Sequence, residues 1–364
     1  MDPGMYRAPV ADEAPPSQSP PDIDPQRPNR LVGCLFAALC GIGVGHFYVG
    51  LKRRALCWLG GAGVSFVCAA LLIPIFAKAS AFGWALPALL GAFLVSWLGP
   101  LVDLLTVPQR RFAKVPLWQV AGYVVAAQLA SIVFSFSVRT WLVEAFKIPS
   151  ATMGPTLLNG DHIFVDKRRR RDAERGDVLV FQHPEQASED YVKRAVGLPG
   201  DVIEMKGGAL FVNGWQVPRC VLGQSSLPGS EPGDNETGRV ALEFLDGRAY
   251  LTFSGSSSAG MGDGRWTVGP GECFVLGDYR TNSADSRTWF GGRGGGVPLG
   301  NVKGRALGVW MNIRGDAVDW SRAGVSVFEP VLPSSMQGLQ AALEKCLRER
   351  PNDVETRPPR NAIR

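Results

Sequence analysis

Two stretches of this chain hold groups that could carry out acyl transfer. The first, Ile148-Pro-Ser-Ala-Thr-Met-Gly-Pro-Thr-Leu157, follows a long apolar segment; the second is Tyr191-Val-Lys-Arg-Ala-Val-Gly-Leu-Pro-Gly-Asp201. A serine or threonine hydroxyl is a poor nucleophile until a neighbouring base takes its proton. A neutral amine can be that base, but a free lysine titrates near ~10.4 and must fall by about two units to serve near neutral pH. Burial against apolar groups lowers it, because burial penalises the ammonium form. In a strand, Tyr191, Lys193 and Ala195 share one face, and Val192, Arg194 and Val196 the other. Lys193 can then project into a site while Arg194 points away. Taken alone, a lysine in a strand is ordinarily a solvated edge residue. Pro149 and Pro155 restrict the first stretch, so the Thr152 hydroxyl is presented on a stiff backbone.

A third block, Gly277-Asp-Tyr-Arg-Thr-Asn-Ser-Ala-Asp-Ser-Arg-Thr-Trp289, lies farther along. The three blocks, in this order and with Gly160-Asp161 between the first two, resemble the boxes of the type I signal peptidases. Those are serine–lysine enzymes that cut signal peptides from exported proteins. The resemblance covers about residues 139–313. It implies Thr152 at the nucleophile position, where the family carries serine, and Lys193 as the base. It also implies that the Thr152 N–H and the Ser150 hydroxyl hold the oxyanion, donors worth a few kcal/mol when preorganised. Ser150 has a plainer reading as a turn-capping hydroxyl. Ser283 would hydrogen-bond the Lys193 amine, and Asp285 and Arg287, with Arg194, would form ion pairs that hold the loop. Tyr279 stands where the family usually has asparagine, and Gly291-Gly-Arg-Gly-Gly-Gly296 lengthens the loop that follows.

By the same resemblance the substrates are exported preproteins with small residues at the −1 and −3 positions. The peptide would bind as an added strand in a shallow apolar groove. No metal or organic cofactor is implied. The threonine methyl stiffens χ1 and crowds the lysine, at about 1–3 kcal/mol in the acylation barrier if the rotamer is strained. An attenuated or inactive relative that binds peptides or regulates is therefore the alternative, and a membrane scaffold or transporter module is a further one. The scarcity of charged residues within the apolar runs counts against transport.

Stepping outward from these residues, the apolar and polar parts of the chain separate cleanly. Residues 1–30 hold eight prolines and few large apolar groups, which predicts a disordered tail and no cleavable signal peptide. Residues 31–146 form the predicted membrane region. Runs at 31–51, 55–77, 79–102 and 115–138 predict about four transmembrane helices, each near the ~20 residues a bilayer needs. Lys52, Arg53 and Arg54, with Arg110, Arg111 and Lys114, should face the cytoplasm. The fourth helix then delivers the soluble part to the external face of a bacterial inner membrane. The N-terminus lies outside with four spans, and inside if the first run does not cross. Gly43-Val-Gly-His-Phe-Tyr-Val-Gly50 resembles the turn of small two-helix membrane modules and reads most simply as a tight helix–helix connection.

Residues 147–330 predict a mostly-β catalytic domain. Strands are expected at 162–166, 177–181, 191–196, 201–205, 209–213, 241–244, 249–253, 273–276 and 306–313, with an inserted β subdomain at about 214–270. Residues 331–364 are expected as a polar tail, with a short amphipathic helix near 336–350. The net charge of +5 is spread out, which argues against a nucleic-acid partner. Membrane lipids and the secretion translocon are the expected company besides preproteins. Lys167-Arg-Arg-Arg-Arg171 could meet anionic headgroups, though a solvated loop is the simpler reading. Met153 and its apolar neighbours could dip into the outer leaflet. Of seven cysteines, none has zinc-ligand spacing, and a Cys220–Cys273 disulfide is one open pairing. The three histidines, His46, His162 and His183, fit no metal motif or catalytic triad.

Overall fold

The computed structural model describes residues 27–40, 43–78, 82–168, 170, 172–229, 234–256, 262–350 and 358, with the backbone alone at 70, 73, 74, 76–78, 82, 85 and 86. Residues 1–26 of the expected disordered tail, and the last fourteen residues apart from 358, lie outside that set. The chain divides into two compact units, residues 1–58 with 97–124 and residues 59–96 with 125–364.

Among the described residues five α-helices precede the first strand: α1 Arg30–Cys40, α2 Val44–Tyr48, α3 Lys52–Lys78, α4 Ala85–Thr106 and α5 Leu117–Trp141. Among the described residues, two helical stretches are long and apolar enough to cross a membrane, Pro87–Thr106 and Leu117–Trp141. The first expected span is not one continuous helix among the described residues. Its residues form the 11-residue α1 and the five-residue α2, with Gly43 and Gly50 at positive φ on either side of α2. An 11-residue helix is roughly 16 Å long, about half a bilayer core. In the unit to which they belong, Ala37, Val49, Leu104 and Phe112 are buried together. His46 is fully buried with Nε2 3.0 Å from Asp103, whose carboxylate also accepts the Trp58 indole N–H.

The other unit is built on antiparallel strands. In chain order these are β1 Val143–Lys147, β2 Asp161–Asp166, β3 Val178–Gln182, β4 Asp190–Gly197, β5 Val202–Lys206, β6 Ala209–Val212, β7 Trp215–Gln216 and β8 Arg219–Pro228. There follow β9 Asn235–Leu245, β10 Arg248–Gly255, β11 Gly264–Thr267, β12 Glu272–Leu276, β13 Val297–Pro298, β14 Val302–Arg314 and β15 Ala317–Val318. An eight-stranded sheet runs β1-β2-β14-β3-β4-β12-β13, with β15 attached to β14. A four-stranded sheet orders β11-β5-β6-β7, and a three-stranded one β10-β9-β8.

The patterns follow from burial. Strand β2 alternates, with Ile163 and Val165 inward, as a strand covered on one face should. Strand β3 is apolar up to its final Gln182, and its Val178, Leu179, Val180 and Phe181 are all buried, in two clusters on opposite faces. The β5–β6 hairpin turns at Gly207 and Gly208, both at positive φ, which suits a two-residue hairpin loop. The three-stranded sheet lies within residues 214–270, whose remaining strands β7 and β11 join the four-stranded sheet. One face of the three-stranded sheet packs on a 3₁₀ turn at Ser334–Leu339 and on α6, Gln340–Arg348. A Cys220–Cys346 disulfide fastens this C-terminal segment to β8, in place of a Cys220–Cys273 bridge. Cys273 is instead a free thiol in the core, pushed up to about 12 by burial.

Candidate active site

The loop between β1 and β2 carries Thr152, and several bonds fix its shape. Ile148 N donates to Asp161 O at 2.8 Å and Gly160 N to Ile148 O at 2.9 Å, closing its neck. Gly160 sits at φ 87°, where a β-carbon would strike the Ile313 carbonyl, so glycine is required. The buried Asp161 carboxylate accepts Leu158 N at 2.8 Å, Asn312 Nδ2 at 2.8 Å and Arg322 Nη2 at 2.6 Å. Met153 and Leu157, at 1% and 0% exposure, pack with Ile148, Ile163 and Val178. Met153 is therefore an anchor of the loop in the core, and does not reach outward to a lipid leaflet.

Strand β4 brings the lysine. Lys193 is 2% exposed, and its Nζ donates to Thr152 Oγ1 at 2.8 Å. Its pKa is lowered to about 8. Burial is the main cause; Asp285 and Asp278 pull it upward and Arg287 pushes it further down. The ammonium also lies 5.4 Å from the Tyr191 ring centroid, on the face that strand alternation assigns to both. Thr152 is partly exposed, and Ser150 Oγ is 3.3 Å from its Oγ1. The Thr152 N–H makes no hydrogen bond among the described residues.

The third block closes the site, with two departures from expectation. Ser283 is buried next to Thr152 and Gly277, yet its hydroxyl makes no hydrogen bond among the described residues, to Lys193 or otherwise. Arg194 is not part of the Asp285 pair. It turns inward at 1% exposure and forms a bidentate pair with Asp278, Nε–Oδ1 2.7 Å and Nη2–Oδ2 2.6 Å. Its Nη1 donates to Gly176 O at 2.7 Å, and its guanidinium lies 4.2 Å from the Tyr250 ring centroid. From Lys193 onward both faces of β4 are therefore buried, one by the site and the other by this network.

Asp285 and Arg287 do pair, with Arg287 Nε 2.8 Å from Asp285 Oδ1. The same carboxylate accepts Gly277 N at 2.9 Å, and Arg287 Nη2 donates to Arg280 O at 2.8 Å, so the pair stitches the loop to itself. Burial alone would raise the Asp285 pKa; the Arg287 charge and hydrogen bond and the Gly277 N–H outweigh it and leave it lowered. Tyr279 fits by filling space in the insertion. Its ring meets Phe253 edge-on at 4.9 Å and its hydroxyl bonds Glu236, while its N–H donates to Thr152 O at 3.2 Å.

Sequence reasoning missed the deeper supports. Thr156 Oγ1 donates to Asp278 Oδ2 at 2.6 Å and links the Thr152 loop to the third block. Arg280 pairs with Glu243 of β9 at 2.9 and 2.6 Å, and Tyr250 donates to the same carboxylate at 3.1 Å. Thr156, Asp278 and Arg280 lie inside motifs visible in the sequence, but nothing in their spacing says which partner each takes.

A partly exposed hydroxyl held by a buried, pKa-lowered lysine on a β scaffold defines a class of site suited to amine-assisted acyl transfer. Known proteins agree with that class. A family model described as signal peptidase, peptidase S26, matches residues 121–311. The signal peptidase I of Pseudomonas fluorescens is 38% identical over 48% of this chain and 66% of its own length. That of Pseudomonas aeruginosa is 37% identical with the same coverage, so this chain spans just under two thirds of either relative. The signal peptidase I P of Bacillus subtilis subsp. natto is 34% identical over 46% of this chain and 78% of its own. A solved signal peptidase I from Enterococcus faecalis V583 aligns at 26% identity over 37% of this chain and 96% of that one, with a TM-score of 0.21, too loose a superposition to carry an argument. The chain belongs to the peptidase S26 family of signal peptidases.

Proposed function

We propose that this chain is a membrane-bound endopeptidase that removes signal peptides from exported preproteins, with Thr152 as nucleophile and Lys193 as general base. The observation that carries this reading is the 2.8 Å contact between a buried Lys193 amine and the Thr152 hydroxyl. With Lys193 neutral, the Thr152 O–H donates to Nζ and its proton passes there as Oγ1 attacks the scissile carbonyl. The Thr152 N–H and the Ser150 hydroxyl stand where they could receive the oxyanion. The protonated amine then returns the proton to the departing amine of the mature protein. Water, activated by the same lysine, frees the acylated signal peptide.

Strand β4 also supplies an edge for the peptide. Its partner β12 pairs Leu276, Val275 and Phe274 with Arg194, Ala195 and Gly197, which leaves residues 190–193 with no strand on that side among the described residues. A peptide added there as a strand would run past Lys193, and small −1 and −3 side chains suit the tight space beside a threonine methyl. Ser283, Asp285, Arg287 and Arg194 serve as supports of this geometry.

The membrane arrangement we favour has three crossings, α3, α4 and α5, with α1 not crossing. The positively charged residues at 52–54 and 110–114 then face the cytoplasm, and the β domain lies on the external face of a bacterial inner membrane. The Cys220–Cys346 disulfide supports that side, because such bridges persist in oxidising compartments. The domain divisions follow: a tail to residue 30, a membrane region to 146, and the catalytic domain from 147, continued by the bridged helix. The translocon and membrane lipids are the partners this placement offers.

The test is cleavage of a reconstituted preprotein by wild type, Thr152→Ser, Thr152→Ala and Lys193→Ala. Wild type and Thr152→Ser should cleave, the serine enzyme faster, and both alanine variants should fall by three orders of magnitude or more, on the order seen when a nucleophile–base unit is broken. Cleavage that survives Thr152→Ala removes the nucleophile assignment. A silent wild type rescued by Thr152→Ser identifies an attenuated relative.

A further inference from the structure

A cavity of about 500 Å³ opens where the last helix before the β domain ends. Trp141, the final residue of α5, and Val302 give it an apolar wall; Lys167, Arg168 and Arg170 give it a basic one, and Asp172 is the acid in its lining. The basic turn is tied to the helix end rather than trailing free. Lys167 N donates to Leu142 O at 2.9 Å, and Lys167 Nζ donates to Arg139 O at 3.2 Å and Glu144 Oε2 at 2.8 Å. Arg139 Nε meets the same Glu144 at 3.0 Å.

We infer that this cavity binds the headgroup of an anionic phospholipid. The inference rests on the reading that α5 crosses the membrane. Trp141 is 65% exposed at the end of an apolar 25-residue helix, which places it at the depth where tryptophan anchors sit. A pocket lined by that residue is therefore at headgroup level by covalent attachment. Charge decides the ligand. Arg139, Lys167, Arg168 and Arg170 face the carboxylates of Glu144, Asp166 and Asp172, and Arg168 spends part of its charge on Asp166 at 2.9 Å. In the lining itself three cations, Lys167, Arg168 and Arg170, stand against the single carboxylate of Asp172, so positive charge remains in excess. The basic wall suits a phosphodiester and the Trp141 wall the glycerol and first acyl carbons. A free phosphate would leave the apolar half empty.

The test uses the full chain in detergent with phosphatidylglycerol and phosphatidylcholine in equal amount, and counts bound lipid by native mass spectrometry. Wild type should retain phosphatidylglycerol preferentially, and the Arg168→Gln/Arg170→Gln double variant should weaken that binding by roughly tenfold or more, given the strength of single basic residues near an anionic surface. A double variant on α6, Lys345→Gln/Arg348→Gln, should match wild type, and excess inorganic phosphate should not displace the lipid. Equal retention of the two lipids by wild type, an unchanged preference in the cavity variant, a loss of preference in the α6 variant, or displacement by phosphate would each overturn the site. Thermal midpoints of both variants establish that they fold. Resistance of wild type to alkaline extraction from membranes tests the crossing by itself. A chain that is extracted sinks that reading, whereas one that stays without preferring phosphatidylglycerol sinks only the lipid site.

Discussion

As the proposed base, Lys193 sets the working pH expected of this site. Its ordinary value is near 10.5 and burial brings it to about 8. The sign follows directly: the base must be neutral, so the active fraction grows as pH rises toward 8 and saturates above it. We expect kcat/KM to climb about tenfold per pH unit well below 8 and to level off beyond it, measured on a peptide substrate with no titrating group in that range. A profile flat from pH 6 to 9 would exclude Lys193 as the base. The Thr152→Ser change should lift the plateau and leave the limb in place, because it relieves crowding beside the lysine without altering its burial. The unpaired Ser283 hydroxyl belongs at this scale too. It lies beside the Thr152 loop and makes no hydrogen bond among the described residues.

The loops and strands that hold these residues were legible in the sequence to different depths. All nine expected strands form, because β-branched alternation and the Gly, Pro and Asp breaks between them act locally. The inward turn of Arg194 was not legible. Alternation placed it opposite Lys193, but whether that face met solvent or a second buried network depended on Asp278 and Tyr250, far along the chain. The Cys220–Cys346 bridge was hidden for the same reason, since it closes a separation of 126 residues. Gly277 shows how closely the elements are fitted. A β-carbon there would meet Ser283 Oγ and Cβ and lie 2.7 Å from Thr152 O. Gly277→Ala must therefore displace the nucleophile loop from the lysine strand. Misplacement of about 1 Å can cost on the order of 100-fold in turnover, while overpacking costs about 1–3 kcal/mol in stability. We expect kcat to fall by that order with KM within a few-fold, and the thermal midpoint to drop modestly. Unchanged kcat would mean that the loop tolerates the shift and that the fit at Gly277 does not set the dyad.

At the scale of the whole molecule, chemistry and topology depend on one another, because the proposed dyad is useful only where exported chains emerge. The four apolar runs of the sequence did not separate a crossing helix from a broken one. Glycine at positive φ on both sides of α2 breaks the first run, and composition alone does not reveal that. In the arrangement proposed above, the break changes the parity of the crossings. With α3, α4 and α5 crossing, the N-terminus and the 110–114 loop share the cytoplasmic side, and everything after α5 is outside. Fusions decide this. Alkaline phosphatase, which folds only outside, should be inactive when joined after residue 114 and active when joined after residue 147. A fluorescent protein that matures only in the cytoplasm should glow at the N-terminus. A dark N-terminal fusion that is still made in full would restore the first run as a crossing and leave the β domain outside. An active phosphatase after residue 114 would invert the membrane region, put the dyad in the cytoplasm, and remove both the oxidising surroundings that the disulfide needs and the substrates proposed for Thr152.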